Sequence, residues 1–167
     1  MTKYEELCGA FQQCNNEDIA YRDRSLSFIA RLLTGFAPYI GAPSDQVKFL
    51  PPEPRDSKAI YTPMGAAKWE GNGWWVAYVQ LTLTQGNGIY PQLAVLFQFR
   101  VRVGLDNFTV QLGDSDRTHT ISDGANATAL ETVYDEAYQR AKQYFTPRSQ
   151  RFVEKANQDS PQKIGFL

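Results

Sequence analysis

Two runs decide how this chain folds: Trp74-Trp75-Val76-Ala77-Tyr78-Val79-Gln80-Leu81-Thr82-Leu83-Thr84 and Gln92-Leu93-Ala94-Val95-Leu96-Phe97-Gln98-Phe99-Arg100-Val101-Arg102-Val103. In the first, apolar residues fall on odd numbers: Trp75, Ala77, Val79, Leu81 and Leu83. In the second they do so again, at Leu93, Val95, Phe97, Phe99, Val101 and Val103. A third run, Asn107–Leu112, switches to even numbers at Phe108, Val110 and Leu112. Strict alternation gives each strand one buried face and one open face.

Paired residues share a face, so parity selects the registers. Leu83 opposite Leu93 also sets Val79 against Phe97 and Trp75 against Val101. Val103 opposite Phe108 sets Phe99 against Leu112. Upstream, a two-residue turn at Asn72-Gly73 would place Lys68 in the core. A three-residue loop, Gly71-Asn72-Gly73, instead pairs Trp69 with Trp75 and Ala67 with Ala77, and supplies glycine for a left-handed position.

Outward from this meander, Thr2–Leu33 has a helical pattern. Tyr4, Leu7, Phe11 and Cys14 share one face, as do Ile29, Leu32 and Leu33 further on. Asn15-Asn16 is a candidate break; Gly35 and Pro38 are expected to end the helix. Six of the nine prolines lie between Pro38 and Pro63, a region expected to be irregular with an edge strand at Val47–Leu50. Thr118–Ile121 is a candidate fifth strand. Thr128-Ala129-Leu130-Glu131 has the spacing of a capping box. It opens a helix whose apolar face is Leu130, Val133, Tyr134, Ala137, Ala141, Tyr144 and Phe145, ended by Pro147. A short helix at Arg148–Asn157 and a loose tail follow.

The predicted fold is α+β in two layers. An antiparallel β-meander of four or five strands has an N-terminal helix and a C-terminal helix packed on one face. Residues 1–157 are read as a single domain and 158–167 as a flexible tail.

Composition narrows the function classes. Seventeen basic and 18 acidic side chains give a formal net charge of −1, too balanced for a long-range field towards nucleic acid or an anionic membrane. Gly71–Phe99 carries no charge, but Gln80, Thr82, Gln85, Asn87 and Pro91 interrupt it as a membrane span. The start of the chain lacks a signal-peptide pattern, so a cytoplasmic protein with reduced, partly buried Cys8 and Cys14 is expected. Six residues apart on a helix, those thiols are separated by about 9 Å along the axis, too far for a disulfide. The sequons at Asn107 and Asn126 then have no role.

Recognisable catalytic signatures are lacking. His119 is the only histidine; as a general base it would take Asp114, Asp116 or Asp123 as its orienting partner. The plainer reading makes Gly113-Asp114-Ser115-Asp116 a turn whose side chains bond their own backbone. A calcium loop fails because His119 occupies the position of the required glycine. Cys8, Cys14 and His119 lack zinc spacing, and no phosphate or dinucleotide loop occurs. No cofactor or metal is expected.

The open sheet face is the candidate site. The registers set Trp74 opposite Arg102, Val76 opposite Arg100 and Tyr78 opposite Gln98, with Thr109 and Gln111 on the next strand. Trp, Tyr and Arg are enriched in binding hot spots. The expected function is a non-enzymatic protein-binding or adaptor domain, self-associating as a homodimer through Trp74, Tyr78, Arg100 and Arg102. Two plainer readings are that the arginines shield Trp74 and Tyr78 by cation–π contact, or that Pro51–Pro63 covers the face. A second function is a small-ligand-binding protein or enzyme with a pocket lined by Trp69, Trp75, Phe97 and Phe99. A weaker one is binding of single-stranded nucleic acid. The terminal Ile164-Gly165-Phe166-Leu167 is read either as a docking peptide or as residues folded back.

Overall fold

The computed structural model describes residues 1–84 and 92–146. Helix α1 (Lys3–Ile40) leads through a single 3-10 turn to strand β1 (Val47–Leu50) and the short helix α2 (Pro63–Ala66). Strands β2 (Lys68–Trp69), β3 (Trp74–Thr84), β4 (Gln92–Val103), β5 (Asn107–Leu112) and β6 (Thr118–Ser122) follow, and helix α3 (Thr128–Tyr144) comes after them. The proposed end of that helix at Pro147, the helix at 148–157 and the tail at 158–167 lie outside the described residues.

The sheet is antiparallel in the order β1-β3-β4-β5-β6, and β2 shares the β1 edge of β3. Every register argued from parity across β3, β4 and β5 is present, from Trp74 opposite Arg102 to Leu83 opposite Leu93, and Val103 opposite Phe108. Trp69 pairs with Trp75, their rings 5.5 Å apart and edge to face. Gly71 and Gly73 hold φ of 81° and 92°, the left-handed values the three-residue loop requires. Ala67 falls outside β2, as the residue that caps α2.

The odd-numbered face of β3 and β4 carries the core. Phe28 of α1 stacks on Phe108 at 3.9 Å, and Phe36 packs on Phe97 and Phe99 at 4.8 and 5.5 Å. From α3, Leu130, Val133, Tyr134 and Ala137 close the layer. The Tyr134 hydroxyl donates to the Leu32 carbonyl at 2.8 Å, tying the helices together. Tyr144 and Phe145, expected on the buried face, are exposed at 43% and 41%, where the layers part around a cavity.

The helix ends depart from the expected ones. Asn15-Asn16 does not break α1, and Gly35 and Pro38 lie inside it; Gly41, at φ 72°, caps it. Pro38 lies two residues from the helix end, so the bond it cannot donate to the carbonyl four residues earlier is among the last of the ladder. Thr128 does not form the capping box with Glu131. Asn126 and Ala127 carbonyls already accept from Ala129 and Leu130, so the turn starts upstream and Ala127 takes the cap position. A capping box forms instead at Thr2 and Glu5.

The largest departure is the first half of α1. Tyr4, Leu7 and Phe11 are 75%, 70% and 75% exposed, and Cys8 and Cys14 are exposed rather than partly buried. Along α1 the contacts advance along β4, from Phe28 at the level of the Val103–Phe108 pair to Phe36 at Phe97 and Phe99. Buried positions on α1 run only from Ser25 to Ala37. A 38-residue helix is too long for this sheet, and its N-terminal portion stands clear as an arm.

Candidate functional site

The open face is partly covered by the chain itself. Alternation places Trp74, Tyr78 and Arg100 on it, all half-buried, with Arg102 exposed. The Arg100 guanidinium lies 5.0 Å from the Trp74 ring centre and donates to Gln111 and Glu70, each at 3.0 Å. Gln111 in turn donates to the Ser115 carbonyl. From the Pro-rich segment, Arg55 sits 5.6 Å from the Tyr78 ring centre, while its other contacts are the Pro51 carbonyl and Glu53. Gln98 donates to the Tyr78 hydroxyl at 3.0 Å. Burial pushes the Tyr78 phenol above its usual range, with the nearby Arg55 charge pulling it back.

Both plainer readings of this face are therefore present in part. Cation–π shielding occurs at Trp74, and the Pro-rich segment covers Tyr78. Val76 and Leu96, on the same face, are buried at 1% and 9% exposure. The four anchors do not form one free patch: Arg102 is exposed, while Trp74, Tyr78 and Arg100 are half-buried. Glu70, Arg55 and Gln111 do the tying. Parity places Gln111 beside Arg100, as found, but Glu70 and Arg55 come from loops that periodicity does not orient.

His119 lies on the helix side of β6, opposite Val110. Its ring bonds Glu136 of α3, rather than Asp114, Asp116 or Asp123. Glu136 also binds Arg140 at 2.9 Å and Arg117 at 3.6 Å, so it neutralises two guanidinium groups. Asp123 is engaged elsewhere, with Arg24 at 3.0 Å. The Gly113–Asp116 segment is a turn, with Ser115 accepting from the Arg117 amide. The His119–Glu136 contact ties β6 to α3. Among the described residues, no group of three or more His, Cys, Asp or Glu side chains converges to hold a metal.

A cavity of about 490 Å³ opens between the layers, where Phe36 and Ile40 meet Leu81, Val95, Phe97 and Tyr138. Of the four aromatics expected to line a pocket, only Phe97 does so. Phe99 is buried in the core, and Trp69 and Trp75 lie at the other end of β3. The lining is almost wholly apolar and presents no acid–base pair.

The exposed arm is the surface that sequence reasoning missed. Its stripe of Tyr4, Leu7, Phe11 and Cys14 runs in line with Ser25, Phe28 and Leu32, which pack on the sheet. At heptad spacing these are successive a and d positions. One cation, Lys3, and three carboxylates, Glu5, Glu6 and Glu17, lie beside the stripe, and a fourth, Asp18, continues it. The arm joins the body where the Tyr21 ring meets Trp69, 6.4 Å away, and where Arg24 bonds Asp123 and the Gly104 carbonyl. No helix among the described residues is long and apolar enough to cross a membrane. No protein-family model matches this chain, and no curated protein or solved structure is found to match it.

Proposed function

We propose that this chain is a protein-binding domain, an adaptor rather than an enzyme, whose main contact surface is the arm of α1. The open sheet face at Trp74 and Arg102 serves as a smaller second contact. One observation carries the reading: about five turns of helix hold three large apolar side chains on one stripe, with no described residue packed against them. Such a helix is marginal alone in water, and Gly9, Asn15 and Asn16 weaken it further. A packed partner supplies what propensity lacks. Four carboxylates against one lysine make an anionic membrane or a nucleic acid a poor partner for this surface.

The test is a photo-crosslinking benzophenone side chain placed at Phe11 in the full chain, irradiated in its own host. A discrete adduct with a polypeptide, whether another copy or a different protein, supports the reading. Irradiation that yields only uncrosslinked chain removes it. The cavity favours a second reading, an apolar small ligand between the layers. Leu81→Trp should then abolish an extra mass carried by the native protein; a native mass equal to the bare chain counts against it.

A further inference from the structure

The arm's stripe is self-complementary. Tyr4, Leu7, Phe11 and Cys14 are spaced by three, four and three residues, which reads the same in either direction. We propose that the arms of two copies pair antiparallel about a two-fold axis beside Gly9, forming a homodimer. The step rests on the protein-binding reading of the arm and names its partner as a second copy of this chain.

In this register Tyr4 meets Cys14 of the second copy, and Leu7 meets its Phe11, as a-to-d layers require. The flank formed by Lys3, Ala10 and Glu17, one heptad apart, supplies the charge match. Lys3 faces the second copy's Glu17 on both sides of the axis, and the two Ala10 residues meet between them. Asp18, on the stripe itself, falls just past the end of the other helix, close to the second copy's Lys3. A parallel pair would instead bury Asp18 against its own counterpart in the seam, a like-charge contact in low dielectric.

The length also fits. The second copy's helix tip stops alongside Asn16 to Asp18, about one turn short of Tyr21, where the body of the domain begins. Two arms therefore lie together over about 22 Å without the bodies colliding. Two aromatics, a leucine and a cysteine bury roughly 500–700 Å² per copy, somewhat below the ~800 Å² of a standard interface. A reversible dimer in the micromolar range follows, rather than an obligate one.

Two native thiols report the geometry. The antiparallel register brings the two Cys8 side chains to within about 3 Å of each other along the axis but separates the two Cys14 by about 15 Å. Full-length Cys14→Ser, treated with a short bifunctional thiol reagent at about 100 µM protein, should give a covalent dimer. Full-length Cys8→Ser should not. Adding Phe11→Glu to Cys14→Ser should abolish the product and shift sedimentation to monomer, while the thermal midpoint at low concentration stays that of the parent. Sedimentation as a monomer at that concentration overturns the proposal, as does equal crosslinking through either thiol. Benzophenone adducts at Phe11 containing only another protein also overturn self-pairing, yet leave the protein-binding reading standing.

Discussion

Glu136 is the side chain on which most of the polar contact between sheet and α3 depends. Its carboxylate bonds His119 and Arg140 and lies 3.6 Å from Arg117, while only 12% of it is exposed. Removing it leaves a largely buried imidazole and a half-buried guanidinium without their acceptor. Glu136→Ala should cost about 2 kcal/mol in urea unfolding, below the range for fully buried pairs because Arg140 keeps some access to water. Arg117→Ala, at an exposed position, should stay within about 0.5 kcal/mol. Tyr134 gives a pH-dependent counterpart. Burial pushes its phenol from about 10 up to about 12, with the Arg31 charge opposing the shift. Between those values the unfolded chain has lost the proton that the folded chain keeps, so ionisation favours unfolding. This contribution is fully present below pH 10 and is lost as pH rises towards 12. Tyr134→Phe should flatten that alkaline decline, at a cost of about 1 kcal/mol at neutral pH for the lost bond to Leu32. Unfolding curves of parent and variant at pH 7 and across pH 10–12 check both parts.

At the scale of elements, the end of α1 is set by Gly41, whose φ of 72° is strained for any residue with a side chain. A Cβ added there meets nothing within 4 Å. Gly41→Ala should therefore cost about 1 kcal/mol through backbone strain alone, read as a lower denaturation midpoint with an unchanged slope. The strands were legible in the sequence because each has a period of two and one buried face, so Val79, Phe97 and Leu112 could be placed without tertiary knowledge. The helices were less so. Tyr4, Leu7 and Phe11 have the same spacing as Ile29, Leu32 and Phe36, and periodicity cannot say which half meets a sheet. That depends on where the sheet ends beneath α1, which emerges only once the strands are assembled. Thr128-Ala129-Leu130-Glu131 carries a sound capping pattern, but the turn at Asn126 and Ala127 had already begun the helix. Of the candidate site, the alignment of Trp74 with Arg102 was readable; the tethering of Arg100 and Tyr78 by Glu70 and Arg55 was not.

For the molecule as a whole, the contrast is between a body held by aromatic packing and an arm held by its own backbone bonds. Phe28, Phe36, Phe97, Phe99 and Phe108 bury the body's core, and the amides there should open only with global unfolding. The arm's amides from Glu6 onward are bonded within the helix, yet no other described element packs over them. Opening them in a monomer requires little more than fraying, which a capping box at Thr2 and Glu5 slows but does not prevent. If two arms pair, opening must first separate them, and protection becomes a function of protein concentration. Each tenfold increase in free protein above the dissociation constant should add about 1.4 kcal/mol to arm protection and nothing to the body. Hydrogen exchange at low and at hundredfold higher concentration separates the cases. Slowing confined to residues 3–20, and absent in Phe11→Glu, is the expected result. Arm exchange that is fast and equal at both concentrations would mean that two copies do not meet there, and that the stripe serves a different protein.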